Sequence, residues 1–95
     1  MTRIRRLVLD VLKPYEPELP EFARRVADGD STVALTASLL ETDRKVQNVK
    51  LSLEGEDLDV DAIEARIERL GASVHSIDEV ACGDYVVAER RTPQD

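Results

Sequence analysis

Residues 3–12 read RIRRLVLDVL, and the fold of this chain turns on how that stretch alternates. Leu7, Leu9 and Val11 share one face of an extended strand, while Val8, Asp10 and Leu12 share the other, with Ile4 out of step. A strand that is apolar on both sides reads as central in its sheet. The run Lys13-Pro14-Tyr15-Glu16-Pro17 is expected to end it, because proline cannot donate to a ladder.

Outward from this strand the periodicity changes. Leu19, Phe22, Ala23, Val26 and Ala27 fall on the stripe of an amphipathic helix over residues 18–28, with Pro20 in its first turn and Gly29 placed to close it. Residues 32–41 alternate again, with Val33, Leu35, Ala37 and Leu39 on one side. Thr42-Asp43-Arg44-Lys45 is short and polar enough to turn a hairpin into residues 46–54, where Val49, Leu51 and Leu53 alternate with Asn48, Lys50 and Ser52.

A second helix has a clear start: Asp59 as N-cap, Leu58 stapled to Ile63, then the stripe Val60, Ile63, Ile67 and Leu70 before Gly71. Residues 73–81 read as the last strand, whose alternation slips between Val74 and Ile77: either both of its faces are covered or a bulge lies near His75 and Ser76. Tyr85-Val86-Val87-Ala88 reads as a short extra edge strand.

The order β-α-β-β-α-β defines an α+β, ferredoxin-like sandwich: an antiparallel sheet in spatial order 4-1-3-2 with both helices on one face. The chain holds one domain, expected over residues 1–90, with a frayed tail at 91–95. The helices cover Leu7, Leu9 and Val11. The opposite face, carrying Val8, Leu12 and Leu40, is expected to lie open and to be hidden by self-association.

Twenty acidic residues against thirteen basic ones give a formal charge of −7 and a pI near 4.7. The basic residues are ten Arg and three Lys. Acids spread along the whole chain suit a salt-rich cytoplasm, as in halophilic archaea, where screening removes their mutual repulsion. The same balance argues against nucleic acid, which needs a basic stripe. No run approaches the roughly 20 apolar residues of a membrane span. Asp10 interrupts the only candidate leader, so a cytoplasmic protein is expected.

Catalytic constellations are missing. There is no G-x-S-x-G elbow, no phosphate loop, and a single Cys82 with no sequence-adjacent base, so no enzyme is expected. His75 is the only histidine and Cys82 the only cysteine, too few for a zinc site. The carboxylates offer more. Five fall within Glu54–Asp61, but without EF-hand spacing, and Asp59 is already used as a cap. Asp10 sits mid-strand between Val8 and Leu12, where its charge needs a partner: Lys50 on the neighbouring strand, a metal ion, or a group from another copy. Asp78 lies on the strand that flanks it.

Three stretches carry a family resemblance: Leu9-Asp10-Val11-Leu12-Lys13-Pro14 with Glu16-Pro17; Asn48-Val49-Lys50 with Leu53-Glu54-Gly55; and Val74-His75-Ser76-Ile77-Asp78-Glu79-Val80. Together they resemble the archaeal domain-of-unknown-function family 211 over residues 3 to about 89. The resemblance implies a ferredoxin-like domain that assembles into closed homo-oligomeric rings of six or seven subunits in an archaeal cytoplasm; it implies no activity. Tyr15 stands where the family pattern expects a histidine.

The surviving polar motif residues, Asp10, Lys13, Glu16, His75, Asp78 and Glu79, are where a shared site is expected. Asp10, Asp78 and Glu79 are the candidate ligands for calcium or magnesium, and Val8, Leu12, Lys13 and His75 the candidate contacts between copies. An alternative reading is an ACT-like regulatory domain that senses a small molecule at subunit interfaces, by analogy of fold alone.

Overall fold

The four strands and two helices follow in the expected order: β1 (Ile4–Pro14), α1 (Leu19–Ala27), β2 (Ala34–Thr42), β3 (Val46–Glu54), α2 (Val60–Arg69) and β4 (Ser73–Cys82). This computed structural model describes residues 2–29 and 31–85. The proposed strand Tyr85–Ala88 falls mostly outside the described residues, as does the tail at 91–95.

The sheet is antiparallel with order β2-β3-β1-β4, so β1 is central, as its doubly apolar pattern required. Its helix face, Leu7, Leu9 and Val11, joins Val49, Leu51 and Leu53 of β3 in one core with Phe22, Val26, Ile63 and Ile67. Every one of these side chains is fully buried. Helix α1 packs against β2, and α2 against β4.

Bulges explain the positions where alternation failed. Between Ile4↔Cys82 and Arg6↔Ala81, β1 carries one extra residue, Arg5, which returns Ile4 to the core side. In β4 the apolar residues Val74, Ile77 and Val80 are three apart, yet each pairs with a core residue of β1. The additional residues in that strand are His75 and Asp78, so the expected bulge is present and a second one follows it. Leu40 plays the same part in β2, between Leu39 and Glu41.

β1 runs on through Lys13 and Pro14 instead of stopping at Leu12. Its ladder with β4 ends at Leu12↔Ser73, while that with β3 continues to Pro14↔Val46. Beyond Leu12, β1 is therefore an edge on its β4 side, where proline is tolerated.

Helix α2 is framed as its sequence dictates. Asp59 accepts a hydrogen bond from the Ala62 N–H at 3.1 Å, and Leu58 and Ile63 are both buried. At the other end, the Ala72 and Gly71 N–H groups donate to the Ile67 and Glu68 carbonyls, with Gly71 at φ 86°. That is a Schellman closure. Gly29 serves α1 differently from expectation, since the left-handed glycines among the described residues are Gly71 and Gly83. It lies in close approach to Arg66: a Cβ there would push the guanidinium aside.

Candidate functional site

The open face of the sheet follows from the register. Arg6, Val8, Asp10 and Leu12 of β1 lie beside Glu54, Ser52, Lys50 and Asn48 of β3, and beside Glu79, Ser76 and Ser73 of β4. The expected broad apolar surface is absent. Val8 lies between Ser52 and Glu79 and is only 7% exposed, and Leu12 is half-buried. The reason is local. Arg6 reaches across this face to Glu54 at 3.1 Å and Glu79 at 3.2 Å, and long polar side chains shield apolar neighbours with their stems. Both carboxylates hold the Arg6 proton more tightly, raising its already high pKa, chiefly through the hydrogen bond from Arg6 to Glu79.

At the far end of the same face is a hollow of about 190 Å³ that Asp10, Leu12, Glu41, Asp43, Asn48 and His75 help to line. Three carboxylates, an amide and an imidazole thus come from β1, the β2–β3 hairpin and β4. Asp10 stands directly opposite Lys50 in the ladder, yet it accepts its hydrogen bond from Asn48 Nδ2. Lys50 is exposed and keeps its hydration, whereas the shorter Asn48 amide reaches the half-buried carboxylate. Asp43 shapes the turn: its carboxylate accepts from the Lys45 N–H at 3.0 Å, and its carbonyl accepts from the Tyr15 hydroxyl.

Of the candidate cation ligands, the structure therefore separates what the motif suggested together. Asp10 belongs to the hollow, Glu79 is engaged by Arg6, and Asp78 accepts from the Ser76 hydroxyl at 2.7 Å. No group of three or more His, Cys, Asp or Glu among the described residues is placed to hold a metal ion. Leu12 and His75, expected at contacts between copies, share the hollow with Asp10. Glu41 and Asp43 were not singled out from the sequence; only the hairpin register brings them there.

Lys13 is the sharpest departure. It was expected at a contact between copies, and it is fully buried inside its own subunit. It follows Leu7, Leu9 and Val11 on the helix face of β1, so alternation carries it inward. Its ammonium donates to the Pro14 carbonyl at 2.7 Å, the Gln47 side-chain oxygen at 2.9 Å and the Tyr15 carbonyl at 3.4 Å. It also sits 5.8 Å from the centre of the Phe22 ring. Desolvation pushes its pKa below the usual lysine value, against smaller opposing pulls from Glu16 and Glu18.

Exposed aliphatic residues collect at the two edges of the sheet. Leu39 and Leu40 lie on β2, Ile77 and Val80 on β4, and each is 48–52% exposed. These are the strands that lack a second neighbour. None of the helices among the described residues is long and apolar enough to cross a membrane.

The chain is similar to proteins that carry no assigned activity. The model of the uncharacterised ArCR family, domain of unknown function 211, matches residues 5–95. An uncharacterised protein of the archaeon Methanocaldococcus jannaschii is 43% identical over 95 residues, covering 100% of this chain and 98% of that protein.

Proposed function

The chain belongs to domain-of-unknown-function family 211, and we propose that it acts there as a non-enzymatic module that joins head to tail with copies of itself into a closed ring. The observation that carries this reading is the pair of unlike edges. β2 and β4 lie on opposite sides of the sheet, and each leaves aliphatic side chains half exposed: Leu39 and Leu40 on one, Ile77 and Val80 on the other.

Two different patches on opposite sides make a heterologous contact, and such contacts close into rings when the rotation between copies allows. A ring of six or seven copies is the proposed size. The bulges at Leu40, His75 and Asp78 interrupt both edge ladders, so the contact runs through side chains and not through one continuous sheet.

Calcium or magnesium enters this reading at the seams. Within a single chain, no three His, Cys, Asp or Glu among the described residues are placed to hold a metal ion. The exposed Asp78 on one edge and Glu41 on the other would combine only between copies.

Sedimentation in molar KCl tests the assembly, and a monomer at micromolar concentration overturns it. The head-to-tail geometry has a sharper test. Leu39→Asp with Leu40→Asp blocks one edge, and Ile77→Asp with Val80→Asp blocks the other. Each double variant alone should be monomeric, and mixing the two should give one-to-one dimers, because a single intact seam remains. Dimers formed by either variant alone would show a symmetric contact and refute the reading. Calorimetry with calcium, after chelator treatment, should give heat only for the assembled protein.

A further inference from the structure

On the helix side, a hollow of about 180 Å³ is lined by Arg25 and Asp28 at the end of α1 and by Arg66, Arg69 and Leu70 at the end of α2. Three guanidinium groups face one carboxylate there, on a protein whose formal charge is −7. We infer that this hollow is a binding site for a phosphate group, held by Arg25, Arg66 and Arg69.

Helix-end electrostatics account for part of the arrangement, since basic side chains in a last turn complement the dipole. They do not account for the rest. Each helix end contributes about half a negative charge. Three arginines exceed those two ends and Asp28 combined, so the hollow stays positive. Among the described residues the excess is not paired: no carboxylate lies within 4.0 Å of Arg25, Arg66 or Arg69, Asp28 included.

Arg66 is held in position for the task. Its Nε donates to the Val26 carbonyl at 3.0 Å, which fixes the plane of the fork. The fork lies against the backbone of Gly29, so a Cβ there would require the guanidinium to shift. Its terminal nitrogens find no acceptor among the described residues, and Nη2 is buried, so the contact to an anion in the hollow falls to Nη1. A charged donor without an acceptor is costly. Arg25 and Arg69 are exposed on either side, free to swing onto the remaining oxygens. Guanidinium forks match the oxygens of phosphate in pairs. The volume lies below the roughly 300 Å³ at which pockets for whole small molecules begin, so the site takes one anionic group with the remainder of any ligand outside.

Inorganic phosphate, titrated at constant chloride and followed by calorimetry and by the arginine Nε–H resonances, tests this. Saturable binding that shifts the Arg66 signal is expected. It should weaken at least tenfold when the exposed pair is replaced, Arg25→Gln with Arg69→Gln, which leaves the packed Arg66 alone. Gly29→Ala displaces the fork without changing charge and should weaken binding too, with circular dichroism confirming the fold. Glycerol phosphate binding more tightly than the free ion would assign the site to organic phosphates, and equal binding would assign it to phosphate itself. Absence of saturation, or binding unchanged in the double arginine variant, overturns the inference.

Discussion

Leu9 and Leu40 are the same residue on strands of one sheet, yet Leu9 is fully buried and Leu40 is 52% exposed. The contrast holds for the strands as wholes. β1 and β3 place three aliphatic side chains each in the core, whereas β2 and β4 leave Leu39, Leu40, Ile77 and Val80 half exposed. Two short helices cannot span four strands, so the centre receives the packing and the rims keep what a neighbour could use. Stability and association are thereby assigned to different residues.

The largest effect expected from this division is at the centre. Leu9→Ala should cost roughly 3–4 kcal/mol of unfolding free energy, because it removes a wholly buried side chain and leaves a cavity. Denaturant melts in molar KCl measure it. A loss below about 1 kcal/mol, the size of a typical surface change, would erase the distinction between centre and rim.

Lys13 complicates the centre, and its substitution should be next in size. Lys13→Met keeps most of the volume but orphans the Pro14 and Tyr15 carbonyls and the Gln47 amide oxygen, for a loss of about 2 kcal/mol at neutral pH. The pH dependence has a definite sign. Burial lowers the pKa of Lys13 from the ordinary 10.5, so at neutral pH folded and unfolded chains both hold the proton and the burial penalty is complete. As pH rises through the lowered folded value, the folded chain releases its proton first, and the unfolded chain binds more. Wild-type stability should climb relative to Lys13→Met across that alkaline window and level off above 10.5. A flat difference curve would mean that the amine titrates as if solvated.

How far these features could be read from the chain differs in the same way. The central strand, the helix stripes, the Asp59 cap and the Gly71 stop are local patterns, and each is present in the structure. The slip between Val74 and Ile77 points to the bulge at His75, whereas the bulges at Arg5 and Asp78 emerge only from the pairing with the neighbouring strand. The candidate site was less legible because it depends on pairing across strands. Asp10 was recognised as needing a partner, but Asn48 wins over Lys50 through side-chain length and hydration. Lys13 is hard to place from its residue type, because lysine at a strand end usually reaches water; only its phase with Leu7, Leu9 and Val11 points inward. The cover on Val8 is likewise a matter of pairing, because Arg6, two residues earlier, stretches between Glu54 and Glu79.

Asp59→Ala should cost about 1 kcal/mol, less than either core change, because it removes one cap from an otherwise intact helix. Thermal melts should show the loss, and Asp59→Asn should recover most of it, since an amide oxygen can still accept from the Ala62 N–H. Failure of Asn to restore stability would point to the charge near the helix N-terminus, not the hydrogen bond, as the source.

At the rim the smallest effect is expected. Leu40→Ser, measured on a chain too dilute to associate, should change unfolding free energy by no more than about 0.5 kcal/mol. The side chain is the bulged residue of an edge strand and is already half in water, so its removal opens no cavity. At higher concentration the same variant should lose stability relative to wild type, because assembly stabilises only the folded chain that can assemble. The concentration dependence of the difference is therefore the quantity to measure. A large loss that is the same at every concentration would make Leu40 part of the subunit's own core, and the separation between a packed centre and an associating edge would fail there.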